Sequence, residues 1–222
     1  MSNTRSLSEQ IEEYKAGFRS KVPETIQATM AKATQSLAAS DIAQKAPNTG
    51  DKLPTFKLTD QHGKNQTLEQ LLSDGPLVIT FYRGGWCPYC NLELRAYQDV
   101  LGEIKDTGAN LIAITPELPD NSLSTVEKNE LGFTVLSDVD SKYARSIDLV
   151  FTLPEELRPI YESFGIHIEA HNGSGQFDLP LAATYVVAQD GTIINAFVDA
   201  DYTKRQEPNV AVEALKAHTV AA

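Results

Sequence analysis

Leu7, Ile11, Tyr14 and Phe18 recur every three or four residues among polar neighbours, until Val22-Pro23 interrupts the series. That spacing places them on one face of an amphipathic helix ending near Lys21. Pro23 can open a second helix with Ile26, Met30 and Leu37 turned inward. Past the turn-rich stretch Ala46-Pro47-Asn48-Thr49-Gly50-Asp51 the pattern changes. Thr55 to Thr59 alternates as a half-buried strand does, and Asp60 to Gly63 is a turn. Thr67-x-x-Gln70 resembles a capping box that starts a short helix through Leu72.

Two largely apolar, β-branched runs follow, Leu77 to Tyr82 and Asn110 to Thr115, and both read as buried strands. Between them Leu94, Tyr97 and Leu101 share one face of a helix from Pro88 that should stop at Gly102. Ser124 to Leu131 reads as a helix and Phe133 to Leu136 as a short strand. Strand, helix, strand implies a parallel crossover with helices covering a sheet. Thr184 to Ala188 and Thr192 to Val198 flank Gln189-Asp190-Gly191, a strong hairpin signal. Asn209 to His218 can close the chain as a helix, with Asn209 as its cap. Phe151 to Pro180, broken by Pro154, Pro159, Gly165, Gly173, Gly175 and Pro180, reads as an insertion packed near the functional site. The expectation is an α/β protein: a helical extension over 1–46, then a main domain over 47–222 carrying an insertion at about 151–180.

The 222 residues, 41% hydrophobic and 22% charged, suit one globular domain with additions. A formal net charge of -11 argues against binding nucleic acid or an anionic membrane surface. Met1 to Gln10 is polar, no apolar signal-peptide core follows, and no stretch reaches transmembrane length. A cytoplasmic protein is expected. In that compartment the chain's two cysteines read as catalytic rather than as a structural staple.

Both cysteines lie in Arg83-Gly84-Gly85-Trp86-Cys87-Pro88-Tyr89-Cys90, where the first apolar strand runs into its helix. The glycines permit a tight turn and Pro88 suits a first helical turn, so Cys87 falls at a helix start. Free backbone N–H groups and the dipole there, with Arg83 nearby, would bring its thiol from about 8.5 into the roughly 3.5–7.5 range of reactive cysteines. Cys90, three residues on, is close enough to form a disulfide. Two other readings compete. The pair could be ordinary buried thiols. They could also form a zinc site with His167 and His171, although the long gap between the pairs and the loop-like Gly173-Ser174-Gly175 weigh against it. His62 reads as a solvated turn residue.

Gly50 to Asp60, Phe81 to Cys90, Leu136-Ser137-Asp138 and Ala183 to Val187 together resemble the alkyl hydroperoxide reductase and thiol-specific antioxidant family, the peroxiredoxins and their relatives. The resemblance runs from about Asn48 onward, and Trp86-Cys87-Pro88-Tyr89-Cys90 is its most specific part. It implies a thioredoxin-like fold with a central mixed sheet flanked by helices. It also implies a thiol peroxidase acting on hydrogen peroxide and organic hydroperoxides, with Cys87 attacking the peroxide and Cys90 resolving the sulfenic acid to a disulfide. A thioredoxin- or glutaredoxin-type reductant would recycle the enzyme, with no metal or bound cofactor.

Two positions depart from the family pattern: Gly84 stands where the family carries threonine, and Ala182 where it carries a catalytic arginine. Arg83 is the first candidate to supply the missing charge and Arg205 a weaker one, with a solvated arginine as the alternative for each. Ala182 is also where thioredoxin-like proteins place a cis-proline, and Pro180 lies too far away to serve. Trp86 and Tyr89 read as shaping and shielding the turn. A thiol–disulfide oxidoreductase using the same cysteines is the alternative enzyme, and a redox-sensing interaction protein the alternative outside catalysis. The N-terminal helices read equally as a packed extension or as the arm of a homodimer.

Overall fold

The computed structural model describes residues 5–173, 175 and 177–221, so residues 1–4 of the expected extension, 174 and 176 of the expected insertion, and 222 lie outside the described residues. Two helices come first, α1 (Leu7–Lys21) and α2 (Glu24–Ala38). The hairpin β1 (Lys57–Asp60) and β2 (Asn65–Thr67) leads into α3 (Leu68–Ser73), which Thr67 and Gln70 do cap reciprocally. Next come β3 (Leu77–Phe81), α4 (Pro88–Asp99), α5 (Leu101–Asp106), β4 (Asn110–Thr115), α6 (Pro119–Asn129), β5 (Thr134–Ser137) and α7 (Lys142–Ser146). A small ribbon of β6 (Val150–Thr152) and β7 (Asp178–Pro180) encloses α8 (Arg158–Ser163) and α9 (Ile168–Asn172). The hairpin β8 (Ala182–Val187) and β9 (Ile193–Asp199), then α10 (Pro208–Ala221), complete the chain.

The main sheet has the order β2-β1-β5-β4-β3-β8-β9. β3 runs parallel to β4 and β4 to β5, while β8 lies antiparallel to β3, so the sheet is mixed. Every residue of β3 is buried, as befits a strand covered on both faces. Alternate side chains part to two cores. Leu77, Ile79 and Phe81 pack with Ile112, Ile114, Leu136 and Tyr143. Val78 and Tyr82 pack on the opposite face with Cys87, Cys90 and Leu94 of the α4 segment, Val212 and Leu215 of α10, and Leu7 and Ile11 of α1.

The first helix is held at its start as well as along its face. Ser6 Oγ accepts the Glu9 N–H at 3.2 Å and the Glu9 carboxylate accepts the Ser6 N–H at 2.8 Å. The next two N–H groups, of Leu7 and Ser8, donate to the Glu207 carboxylate at 3.0 and 2.7 Å. A carboxylate at a helix N-terminus meets both its orphan donors and its dipole. Among the described residues no helix is long and apolar enough to cross a membrane.

Several boundaries differ from the sequence expectation, each for a physical reason. Gly102 does not stop a helix: α4 ends at Asp99, Val100 leaves helical geometry, and Gly102 lies inside α5, which tucks Leu101 and Ile104 into the core. α6 begins at Pro119 rather than Ser124, because its buried face is Ser122, Thr125 and Asn129 and therefore carries no apolar period. β2, a polar edge strand, has no such period either. α10 starts at Pro208, one residue before the expected cap Asn209.

Ile11, 4% exposed, joins α1 to the core beneath α4. Ile11→Ala is expected to cost about 2–5 kcal/mol in urea unfolding, and an unchanged midpoint would mean that α1 does not dock there in solution.

Candidate active site

Where β3 ends, the chain makes a turn that only glycine fits. Gly84 has φ +152°, and a Cβ there would lie 2.2 Å from Trp86 Nε1. A Cβ on Gly85 would lie 2.1 Å from Thr125 Oγ1 of α6. The peptide groups of Gly85 are then gripped from both sides. Its N–H donates to Glu117 Oε2 at 2.9 Å, and its carbonyl accepts from Asn91 Nδ2 at 2.8 Å. Asn129 Nδ2 in turn donates to Asn91 Oδ1 at 2.9 Å. Cys87 follows as the N-cap of α4 with Pro88 at the first helical position, its N–H donating to the Gly84 carbonyl at 3.0 Å.

Both thiols are buried, Cys87 at 1% and Cys90 at 0% exposure. Burial opposes the thiolate of Cys87. A hydrogen bond from the Cys90 thiol, the charges of Arg83 and Arg205, and the Cys90 backbone N–H outweigh it and hold Cys87 below the ordinary thiol value. Cys90 moves the other way: burial, then its donated hydrogen bond and the negative charge of Cys87, push it well above that value. One negative charge on the sulfur pair is thus favoured, and it sits on Cys87.

Arg83, 2% exposed, lies among aromatic faces, with its Cζ 4.5 Å from the Tyr202 ring centroid, 5.2 Å from that of Trp86 and 5.5 Å from that of Tyr161. It donates to the Tyr161 hydroxyl, while its Nε and the Trp86 Nε1 have no hydrogen-bond partner among the described residues. Arg205 Nε donates to Glu93 Oε2 at 2.6 Å and Nη2 to Cys90 Sγ at 3.4 Å. Burial pushes Glu93 above the ordinary carboxylate value, against the pull of the guanidinium beside it.

Above Cys87 opens a cavity of about 460 Å³ whose lining includes Tyr14, Phe18, Met30, Trp86, Tyr161 and Tyr202. Its walls come from α1, α2, α8 and the Cys87 turn. Edge-to-face contacts tie them together: Tyr14 to Tyr89 at 5.2 Å, Tyr89 to Tyr202 at 5.6 Å and Trp86 to Tyr161 at 5.8 Å.

The structure therefore brings Cys87, Cys90, Arg83 and Arg205 into one buried cluster, and neither arginine is solvated. It does not bring the histidines in as ligands. His171 Nδ1 is 2.9 Å from Glu117 Oε1, His167 precedes α9, and no group of three or more potential ligands is placed to hold a metal among the described residues. Ala182 begins β8 opposite Asp199, and Pro180 pairs with Val150 in the small ribbon. Glu93 was not among the residues singled out from sequence, although a signal existed: it shares the inward face of α4 with Cys90, Leu94 and Tyr97. Tyr14, Tyr161 and Tyr202 carried no sequence signal for this site.

A family model described as AhpC/TSA matches residues 49–196. The chain is 30% identical over 123 residues to the chloroplastic peroxiredoxin Q of Populus jackii, a match covering 54% of this chain and 57% of that protein. The chain thus spans little more than half the length of that relative. Against peroxiredoxin Bcp of Escherichia coli it is 26% identical over 169 residues, covering 76% of this chain and 96% of that one. The crystal structure of peroxidoxin BcpB from Mycobacterium tuberculosis superposes with a TM-score of 0.61 at 22% identity, covering 77% of this chain and 97% of that chain.

Because the folded Cys87 value is depressed, its thiolate should persist at neutral pH and disappear only as pH falls through that lowered value. Far-ultraviolet thiolate absorbance is expected to rise in two separate steps, the first below about 8.5 and the second well above it. Arg83→Met should move the first step upward. One combined step near the ordinary value would show that the arginines do not act on the pair.

Proposed function

The chain belongs to the AhpC/TSA family as a peroxiredoxin-like protein with the thioredoxin fold, and from that premise we propose that it is a thiol peroxidase in which Cys87 attacks the peroxide and Cys90 resolves the product. The observation that carries the reading is Cys87 itself: a helix N-cap thiol held below its ordinary pKa, beside two buried arginines, at the floor of the aromatic cavity. The thiolate attacks the terminal peroxide oxygen, the O–O bond breaks, and the leaving alkoxide or hydroxide takes up a proton. Cys87 is left as a sulfenic acid. Cys90 condenses with it, giving the disulfide and water, and an external dithiol of the thioredoxin or glutaredoxin type restores both thiols.

The family's threonine cannot be accommodated at Gly84, where the Trp86 indole fills the space. Trp86 Nε1 and Arg83 Nε, both buried without a hydrogen-bond partner among the described residues, are the donors we assign to the peroxide oxygens. They stand in for the threonine hydroxyl and for the arginine absent at Ala182. A cytosolic setting suits this cycle, since there the disulfide can be returned to thiols at each turnover.

The cavity is far larger than hydrogen peroxide needs, and its α1 and α2 walls lie outside the 49–196 family match. It accommodates organic hydroperoxides as well. Stopped-flow oxidation followed by Trp86 fluorescence should be fast with either peroxide and abolished by Cys87→Ser. Cys90→Ser should complete one oxidation and stall. Tyr14→Ala with Phe18→Ala should raise KM several-fold for cumene hydroperoxide while changing that for hydrogen peroxide little. Reduction of insulin disulfides by a protein whose peroxide rate is no better than that of a free thiol would replace this reading with thiol–disulfide exchange.

A further inference from the structure

The loop after β9 drives one arginine inward. Arg205, whose side chain is 1% exposed, is fixed along its whole guanidinium edge. Nε donates to Glu93 Oε2 at 2.6 Å, while Nη1 donates to the Tyr202 carbonyl and, at 2.7 Å, to that of Lys204. The remaining arm, Nη2, points at Cys90 Sγ from 3.4 Å. Glu93 is as deeply buried as its partner, and its second oxygen has no hydrogen-bond partner among the described residues. A buried carboxylate and guanidinium are costly to desolvate, and replacing such a pair by packed apolar side chains often stabilises a protein. Stability alone gives little reason for the pair to be aimed at a sulfur atom. Arg205 also lies beyond the 49–196 family match.

We propose that Arg205 is a catalytic residue of the resolving step, stabilising Cys90 as the thiolate that attacks oxidised Cys87, and that Glu93 is the positioning residue holding the guanidinium in place. The assignment rests on the peroxidase reading above. The groups facing Cys90 are Cys87, Arg83, Tyr82, Glu93 and Arg205. In the reduced protein burial, the hydrogen bond that Cys90 donates to Cys87 and the charge of the Cys87 thiolate together keep Cys90 protonated. Oxidation changes that balance, because a sulfenic acid is neutral. Burial persists, but the repulsion and the hydrogen bond to a thiolate are lost while Arg205, 3.4 Å from the sulfur, and Arg83 remain, so a Cys90 thiolate becomes easier to form. That thiolate attacks Cys87 Sγ, the S–S bond forms and the S–O bond breaks. The departing hydroxide and the proton released by Cys90 make water, so one sulfenic acid and one thiol become one disulfide. Charge is passed from the first sulfur to the second by the first reaction itself.

The test is single-turnover oxidation of the full chain by hydrogen peroxide, with the second-order oxidation of Cys87 separated from the first-order formation of the disulfide. Arg205→Met should slow the second phase about tenfold more than the first, move its pH midpoint upward, and let a Cys87 sulfenic acid accumulate that dimedone traps and mass spectrometry detects. Glu93→Ala should show the same defect, and Glu93→Gln, which keeps an oxygen for Nε, should recover much of the lost rate. The oxidation phase is the internal check on folding, since a misfolded variant loses both phases. The same thiol is read without peroxide by dithiobis(nitrobenzoate). That reagent leaves an aryl mixed disulfide on Cys87, and attack by Cys90 releases a second coloured thiolate. Wild-type release that is fast and slowed by Arg205→Met supports the assignment even if peroxide fails to oxidise Cys87, an outcome that would overturn only the peroxidase reading. Disulfide formation in Arg205→Met at the wild-type rate, in either assay, overturns the assignment.

Discussion

Two guanidinium groups buried against two thiols are the constraint on which this site depends. A cysteine taken out of water tends to stay protonated, and both sulfurs here are almost completely buried. In surroundings of low effective dielectric a nearby positive charge acts much more strongly than it does at the surface. The arginines must themselves be desolvated to exert that effect, and the protein stabilises each differently. Arg83 is surrounded by the faces of Trp86, Tyr161 and Tyr202. Arg205 is held by a carboxylate and two backbone carbonyls. Aromatic faces leave most of a guanidinium's donors free, whereas a carboxylate and carbonyls fix its orientation. Arg83 thereby lines the cavity beside Cys87, and Arg205 is directed at one sulfur.

The turn that places Cys87 under these charges is equally constrained. Gly84 and Gly85 are required by proximity, one to the Trp86 indole and the other to Thr125 of α6. The Glu117 and Asn91 side chains grip the Gly85 backbone from opposite sides, so the N-terminus of α4 is registered against α6 as well as against β3. A threonine at Gly84 would therefore have to expel Trp86. The glycine at this position and the indole packed against it are one structural fact.

Much of this was legible in the chain because it is local. Leu77 to Tyr82 and Asn110 to Thr115 are largely apolar, and they form the central strands β3 and β4. Pro88 after Cys87 marked the helix start, and Thr67 with Gln70 marked another. What was not legible depends on contacts between distant parts of the chain. Charged residues are mostly exposed, so Arg205 read equally well as a solvated side chain; only the fold brings it to Glu93, 112 positions away. α6 hid its first turn because the face it buries is polar, its Ser122 bonding to Ser137 of β5 at 3.0 Å. Tyr161 reaches Arg83 from a segment whose prolines and glycines revealed irregularity but not direction.

The N-terminal helices and the site are joined through one short stretch of chain, Tyr202 to Glu207. Tyr202 lays its ring over Arg83 and against Tyr89. Arg205 reaches Cys90, and Glu207 accepts the first two N–H groups of α1. α1 returns the contact by burying Leu7 and Ile11 beneath α4 and setting Tyr14 against Tyr89. Undocking α1 would therefore do more than open one wall of the cavity: it would release Glu207, two residues from the arginine that faces Cys90. The wall that bounds the cavity and the charge that faces the second sulfur are parts of one packed unit, built from segments outside the family match. In this chain the additions to the family core complete the chemical environment of both cysteines.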